Sequence, residues 1–157
     1  MIEFLKSLMS GEGLDFESLL PDLSKLPEMI VSLLRWVVIL GPLCLLGVGL
    51  WLLLAAPKEA NHTAGYRFYW GMSSVEAWQF TQRLAGIVWG ALGTVLTIVA
   101  AASVAGYAKM PMDDITLSAL KTLSFQIVSA LASCVVINFL VFARFDRKGI
   151  RRSEKYK

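Results

Sequence analysis

Charge is what this sequence is short of. Only 17% of its 157 residues are Asp, Glu, Lys or Arg, against 56% that are hydrophobic. Charged side chains are missing altogether from three windows, Trp36 to Ala56, Leu84 to Ala108 and Thr122 to Ala143. These run for 21, 25 and 22 residues, and about 20 residues at a 1.5 Å rise cross a hydrocarbon core of roughly 30 Å. With a mean hydropathy of +0.61, the chain is too apolar for a soluble domain of its size. The missing charges also argue against an ion or proton relay through the spans. No window alternates apolar and polar residues, which argues against a membrane barrel.

Histidine is scarcer still. His62 is alone, and the chain carries no H-E-x-x-H, C-x-x-C, nucleophile elbow or phosphate loop, so the reading is a non-enzymatic protein with no metal and no cofactor. Cys44 and Cys134 are the two cysteines. Counted along their helices they differ by roughly 9 Å in depth at 1.5 Å per residue, too far for a disulfide.

What is present reads as an all-α integral membrane protein with three transmembrane helices, at about 30–56, 74–108 and 116–145. A short amphipathic helix precedes them. In "MIEFLKSLM", Ile2, Leu5, Leu8 and Met9 fall at helical spacing around Glu3, Lys6 and Ser7, a pattern suited to lying flat on a leaflet. The organisation is then an extracytoplasmic or interfacial segment at 1–28, a helical domain at 29–145 with a connector at 57–83, and a basic tail at 146–157. The first span is not a cleaved secretory signal, because 35 residues with six acids precede it where a signal opens with a short basic segment. No internal repeat appears.

Arg144, Arg147, Lys148, Arg151, Arg152, Lys155 and Lys157 gather at the carboxy end, and such clusters are retained on the cytoplasmic side. Three spans then place the amino terminus outside, the 57–83 connector inside and the 109–121 connector outside. Seven of the fifteen basic residues lie in this tail. With no nucleic-acid motif in the chain, anionic lipid is the expected partner, with Arg147, Lys148, Arg151 and Arg152 at the headgroups.

The stretch "AGYRFYWGMSSVEAWQFTQRLAG", residues 64 to 86, crowds six aromatics, two arginines and a glutamate between two apolar runs. Ser73-Ser74-Val75-Glu76 fits a capping box, which predicts a helix start with Ser73 as the cap and Glu76 reaching back to it. Continued as a helix, Trp78, Gln82, Gly86 and Gly90 form one stripe, with Gly93 beside it. Gly86 and Gly90 make a G-x-x-x-G pair that lets another helix approach closely, more simply inside the monomer than across a dimer. The aromatics suit the headgroup region of any membrane protein. Arg67 and Arg83 each need a partner there, for which Glu76, Asp146 or a phosphate would serve. Within the spans, Gln126 and Asn138 are costly in lipid and are expected to face other helices. Pro42 is expected to kink the first helix about one turn from its outer end.

Two motifs carry a family resemblance. Gly65-Tyr66-Arg67, then Ser73, Trp78, and Gln82-Arg83 with Gly86, resemble the G-Y-R-T, small polar pair, W, N-R-x-x-G signature of the SdpI family of bacterial membrane proteins. Phe68 and Gln82 depart from it, standing where threonine and asparagine are usual. Phe145, Asp146, Gly149 and Arg151 are similar to the F-D-x-x-G-x-R ending of the same family. The resemblance covers about residues 60 to 152 and the short, three-span form. It implies protection against, or sensing of, a secreted toxin peptide, with a possible relay to a cytoplasmic regulator. On this view the two motifs meet in one cytoplasmic face closed by an Asp146–Arg67 ion pair. Two other classes stay open: a structural subunit of a homo-oligomer or larger membrane complex, and a small transporter or channel with a polar path.

Overall fold

The computed structural model describes residues 25–61 and 63–153. The amphipathic amino-terminal helix, His62, Lys155 and Lys157 lie outside the described residues. Three long helices follow one another: α1 (Leu26–Leu54), α2 (Val75–Gly106) and α3 (Met112–Arg144), with short 3-10 turns at Trp70–Met72 and Tyr107–Lys109. Each has the length and apolar composition to cross a membrane. Only 22% to 33% of the most apolar stretch of each is buried. Leu33, Ile98, Val128, Leu131, Val135 and Phe139, among others, point outward. Such an apolar exterior belongs in lipid.

Two helices begin four residues earlier than expected, at 26 against 30 and at 112 against 116, for a local reason in each case. α1 starts at Leu26, with Pro27 in its first turn and Glu28 beside it, since proline needs no N–H there and an acid complements the helix dipole. α3 starts at Met112, with Asp113 and Asp114 in its first turn. Acids that break a hydropathy window are favoured at a helix start. α1 therefore runs well beyond its apolar window, and Pro42 lies near its middle, not one turn from its end.

α1 and α2 share the most extensive interface, and glycine makes it. A Cβ added to Gly49 would fall 2.3 Å from the Gly90 nitrogen, one on Gly93 2.5 Å from the Leu46 nitrogen, and one on Gly86 2.7 Å from Leu53 Cγ. The Gly86, Gly90 and Gly93 stripe is thus a seam within the chain. Backbones meet because side chains are absent.

α3 is attached differently. Proline at position 42 has no N–H to give the Val38 carbonyl one turn earlier. Gln126 Nε2 donates to that carbonyl at 3.0 Å from α3. A residue too polar for lipid and a carbonyl without its helical partner satisfy each other. Around this bond Val38, Ala100, Tyr107, Ile115 and Ala119 pack at one end of the bundle. Leu52, Ala77, Ala85, Ile137, Val141 and Phe145 pack at the other.

The Gln126–Val38 bond predicts a coupling. Gln126→Leu is expected to cost about 1 kcal/mol with Pro42 present and nothing measurable once Pro42→Ala restores a backbone N–H for the Val38 carbonyl. Unfolding of the two single variants and the double variant in detergent measures this, and additive effects would refute it.

Candidate functional site

The end of the bundle where α1 and α3 finish and α2 begins carries most of the basic residues, and both sequence motifs fold there. The first motif crosses from α1 to α2. Gly65 adopts φ +108, and a Cβ on it would meet Gln82 Oε1 and the Trp78 ring within 2.9 Å. Only glycine satisfies both the backbone and the space. This brings Tyr66 over Gln82, whose two amide atoms are both used: Tyr66 N–H donates to Oε1 at 2.7 Å, and Nε2 donates to the Tyr66 carbonyl at 2.8 Å. Trp78 is 0% exposed and Gln82 2%. Trp78 Nε1 donates to the Pro57 carbonyl at 2.7 Å, fixing the start of the connector as Gln82 fixes its middle.

Tyr66 reaches down between the helices. Its hydroxyl donates to Asn138 Oδ1 at 2.7 Å, and its ring stands edge-on to Trp89 at 5.2 Å. Trp89 Nε1 in turn donates to Ser133 Oγ. Burial pushes the Tyr66 phenol up to about 12, with Cys134 adding to the rise and the Asn138 hydrogen bond opposing it. The hydroxyl therefore remains a donor at any physiological pH.

The second motif is a tight reversal after α3. Asp146 Oδ1 accepts from the Lys148 and Ile150 amides at 2.8 and 2.9 Å, Gly149 takes φ +74, and Phe145 and Arg151 form an antiparallel bridge. Phe145 is 0% exposed, packed on Phe80. The reversal docks on the start of α2: Ser74 Oγ donates to the Gly149 carbonyl at 2.9 Å, and a Cβ on Gly149 would lie 2.5 Å from Ser74 Cβ. Arg151 and Glu76 form an ion pair across the junction.

Several residues play other parts than the sequence suggests. The helix cap is Ser74, whose Oγ accepts from Ala77 N–H at 3.1 Å. Ser73 donates to the Trp70 carbonyl. The cap is displaced by one residue and the capping box is not formed, because Ser74 is the extended residue before the helix, Ala77 stands at its third position, and Glu76 pairs with Arg151. Trp78, Gln82, Gly86, Phe145 and Gly149 are buried, so they shape this end of the bundle and present no side chain to a partner. The exposed members are Arg67, Arg83, Arg147, Lys148 and Arg152. Arg152 lies over the Phe142 ring, as Arg144 lies over Phe80. Asn138, Trp89 and Pro57 join the site although neither motif contains them, and Ser74, the second of the small polar pair, carries the cap and the junction. Among the described residues, no group of three or more His, Cys, Asp or Glu could hold a metal. The surface is cationic and suits an anionic or polar partner.

Gln82→Leu is expected to remove both anchors of Tyr66, at about 1 kcal/mol for each hydrogen bond. Limited proteolysis should then cut between residues 57 and 73 sooner while helicity is retained. Cutting at the native rate would remove Gln82 from the role of anchor.

Comparisons with curated proteins and with solved structures return no match. A family model described as the SdpI/YfhL protein family matches residues 58–142. That range contains the whole first motif and stops short of Phe145. The matched segment is the connector with its Gly65 turn, all of α2, and α3 to Phe142, which is more than half of the sequence, and the chain therefore belongs to the SdpI/YfhL protein family.

Proposed function

We propose that this is a non-enzymatic protein of a bacterial cell membrane that protects against, or senses, a secreted toxin peptide and can relay that contact to a cytoplasmic regulator. The observation that carries the reading is the joining of the two motifs, by Ser74 to Gly149 and Glu76 to Arg151, into one cap with Arg67, Arg83, Arg147 and Lys148 on its surface. Buried motif residues build the cap, and its cations lie on the exposed surface. Membership of the SdpI/YfhL family supports the same reading, although function is carried by sites and not by folds.

The proposed orientation puts this cap in the cytoplasm and the amino terminus outside. Basic residues at this end of the bundle support it, with Arg147 and Lys148 against anionic headgroups. A fluorescent protein fused after Lys157 should be bright if the tail is cytoplasmic. A dark fusion at normal abundance would invert the orientation.

One observation favours a second reading, a subunit of a larger membrane assembly. α1 and α3 diverge around an apolar cleft of about 470 Å³, with Val37, Leu45, Leu123 and Ile127 on its walls. A neighbour's helix would fit such a space. Purification from native membranes in mild detergent, with Arg67→Ala beside the wild type, separates the two. A secreted peptide or small regulator lost from the variant at equal membrane abundance is the expected outcome. A fixed set of membrane subunits kept by both would favour the assembly and overturn the role of Arg67.

A further inference from the structure

Three arginines at the basic end have an internal occupation. Arg144 lies 4.5 Å from the centre of the Phe80 ring, Arg152 lies 5.0 Å from that of Phe142, and Arg151 pairs with Glu76. Arg83 and Lys58 differ. Among the described residues no side-chain hydrogen bond or ion pair engages the Arg83 guanidinium or the Lys58 ammonium. Both line one pocket of about 380 Å³, formed where the end of α1 passes the first turns of α2.

The pocket has two kinds of wall. Leu52, Leu53 and Leu54 make the side toward the helices, and Leu54 is 85% exposed at its edge. Lys58, Gln79, Arg83 and Gln82, whose amide is spent on Tyr66, make the polar side. Gln79 and Arg83 stand four residues apart on α2, on one helical face. Gln79 Nε2 also donates to the Lys58 carbonyl at 3.3 Å, holding the Lys58 backbone against that face. Two cations and an amide, with no acid among the lining residues, select an anion with several acceptor oxygens. An apolar wall next to that anion selects one that carries hydrocarbon.

We propose that this pocket binds an anionic phospholipid, with the phosphate between Lys58 and Arg83 and an acyl chain along Leu53 and Leu54. This site lies apart from the Ser74–Gly149 junction and does not depend on the toxin reading. It gives Arg83, a residue of the first motif whose side chain has no hydrogen bond or ion pair among the described residues, a specific ligand. The carbon chain distinguishes this occupant from free phosphate, because an exposed leucine edge offers a soluble anion nothing.

The test is native mass spectrometry of the full chain in mild detergent, titrated with phosphatidylglycerol or phosphatidylcholine of the same acyl chains. One phosphatidylglycerol is expected to be retained in clear preference to phosphatidylcholine. Each cation near such a headgroup is worth about a fivefold change in affinity, so Lys58→Gln with Arg83→Gln should weaken retention roughly 25-fold. Arg83→Lys should keep most of it, which separates loss of charge from loss of fold. Lys109→Gln with Lys121→Gln, two exposed cations away from the basic end, should leave it within about twofold. Equal retention of the two lipids, no loss in the Lys58 and Arg83 double variant, or an equal loss in the Lys109 and Lys121 double variant would each overturn the site. Displacement by millimolar inorganic phosphate would overturn the lipid as its occupant.

Discussion

Lipid tails are as apolar as leucine, so three apolar helices gain little by turning their side chains from lipid toward each other. Everything that gives this bundle a defined shape must come from close backbone approach or from polar groups that lipid cannot satisfy. The Gly49–Gly90 contact supplies the first between α1 and α2. The Gln126–Val38 and Tyr66–Asn138 hydrogen bonds supply the second, one near mid-span and one near the basic end. The large outward-facing aliphatic residues suit the solvent and leave the arrangement of the helices to these few contacts.

Much of this was legible from the residues. Three charge-free windows announce three helices, and the G-x-x-x-G spacing announces a face for close approach. Gln126 and Asn138 stand out as polar residues in apolar runs, and each proves to face another element of the chain. Helix starts were less legible, because Glu28, Asp113 and Asp114 read as interruptions on a hydropathy scale and as favourable partners on a dipole argument. The identity of Gln126's partner was hidden for a different reason. It depends on a carbonyl made available by a proline 84 positions earlier in the chain.

The candidate site divides along the same line. Glycines at 65 and 149 are marked by the family resemblance, and both take positive φ. Which serine caps α2 turned on one backbone conformation, extended at Ser74 and helical at Ser73, and two adjacent serines look alike in sequence. Nor could sequence show that Trp78 and Gln82 are spent on the connector's own backbone. The resulting separation is physical: buried motif residues set the shape, while exposed arginines and a lysine set the charge.

The hydrogen bond from Ser74 to Gly149 joins residues 75 positions apart. At the opposite end, α2 and α3 are joined by the few residues from Tyr107 to Pro111. Together they make α2 and α3 a closed loop, latched at one end and covalent at the other. A loop of this kind can twist, but it cannot spread at the basic end without first releasing the latch. α1 has its close contact with α2 and only a lighter one with α3. The α1–α3 boundary has no such loop, and the hydrogen bond from Gln126 to the Val38 carbonyl is what ties it across the membrane.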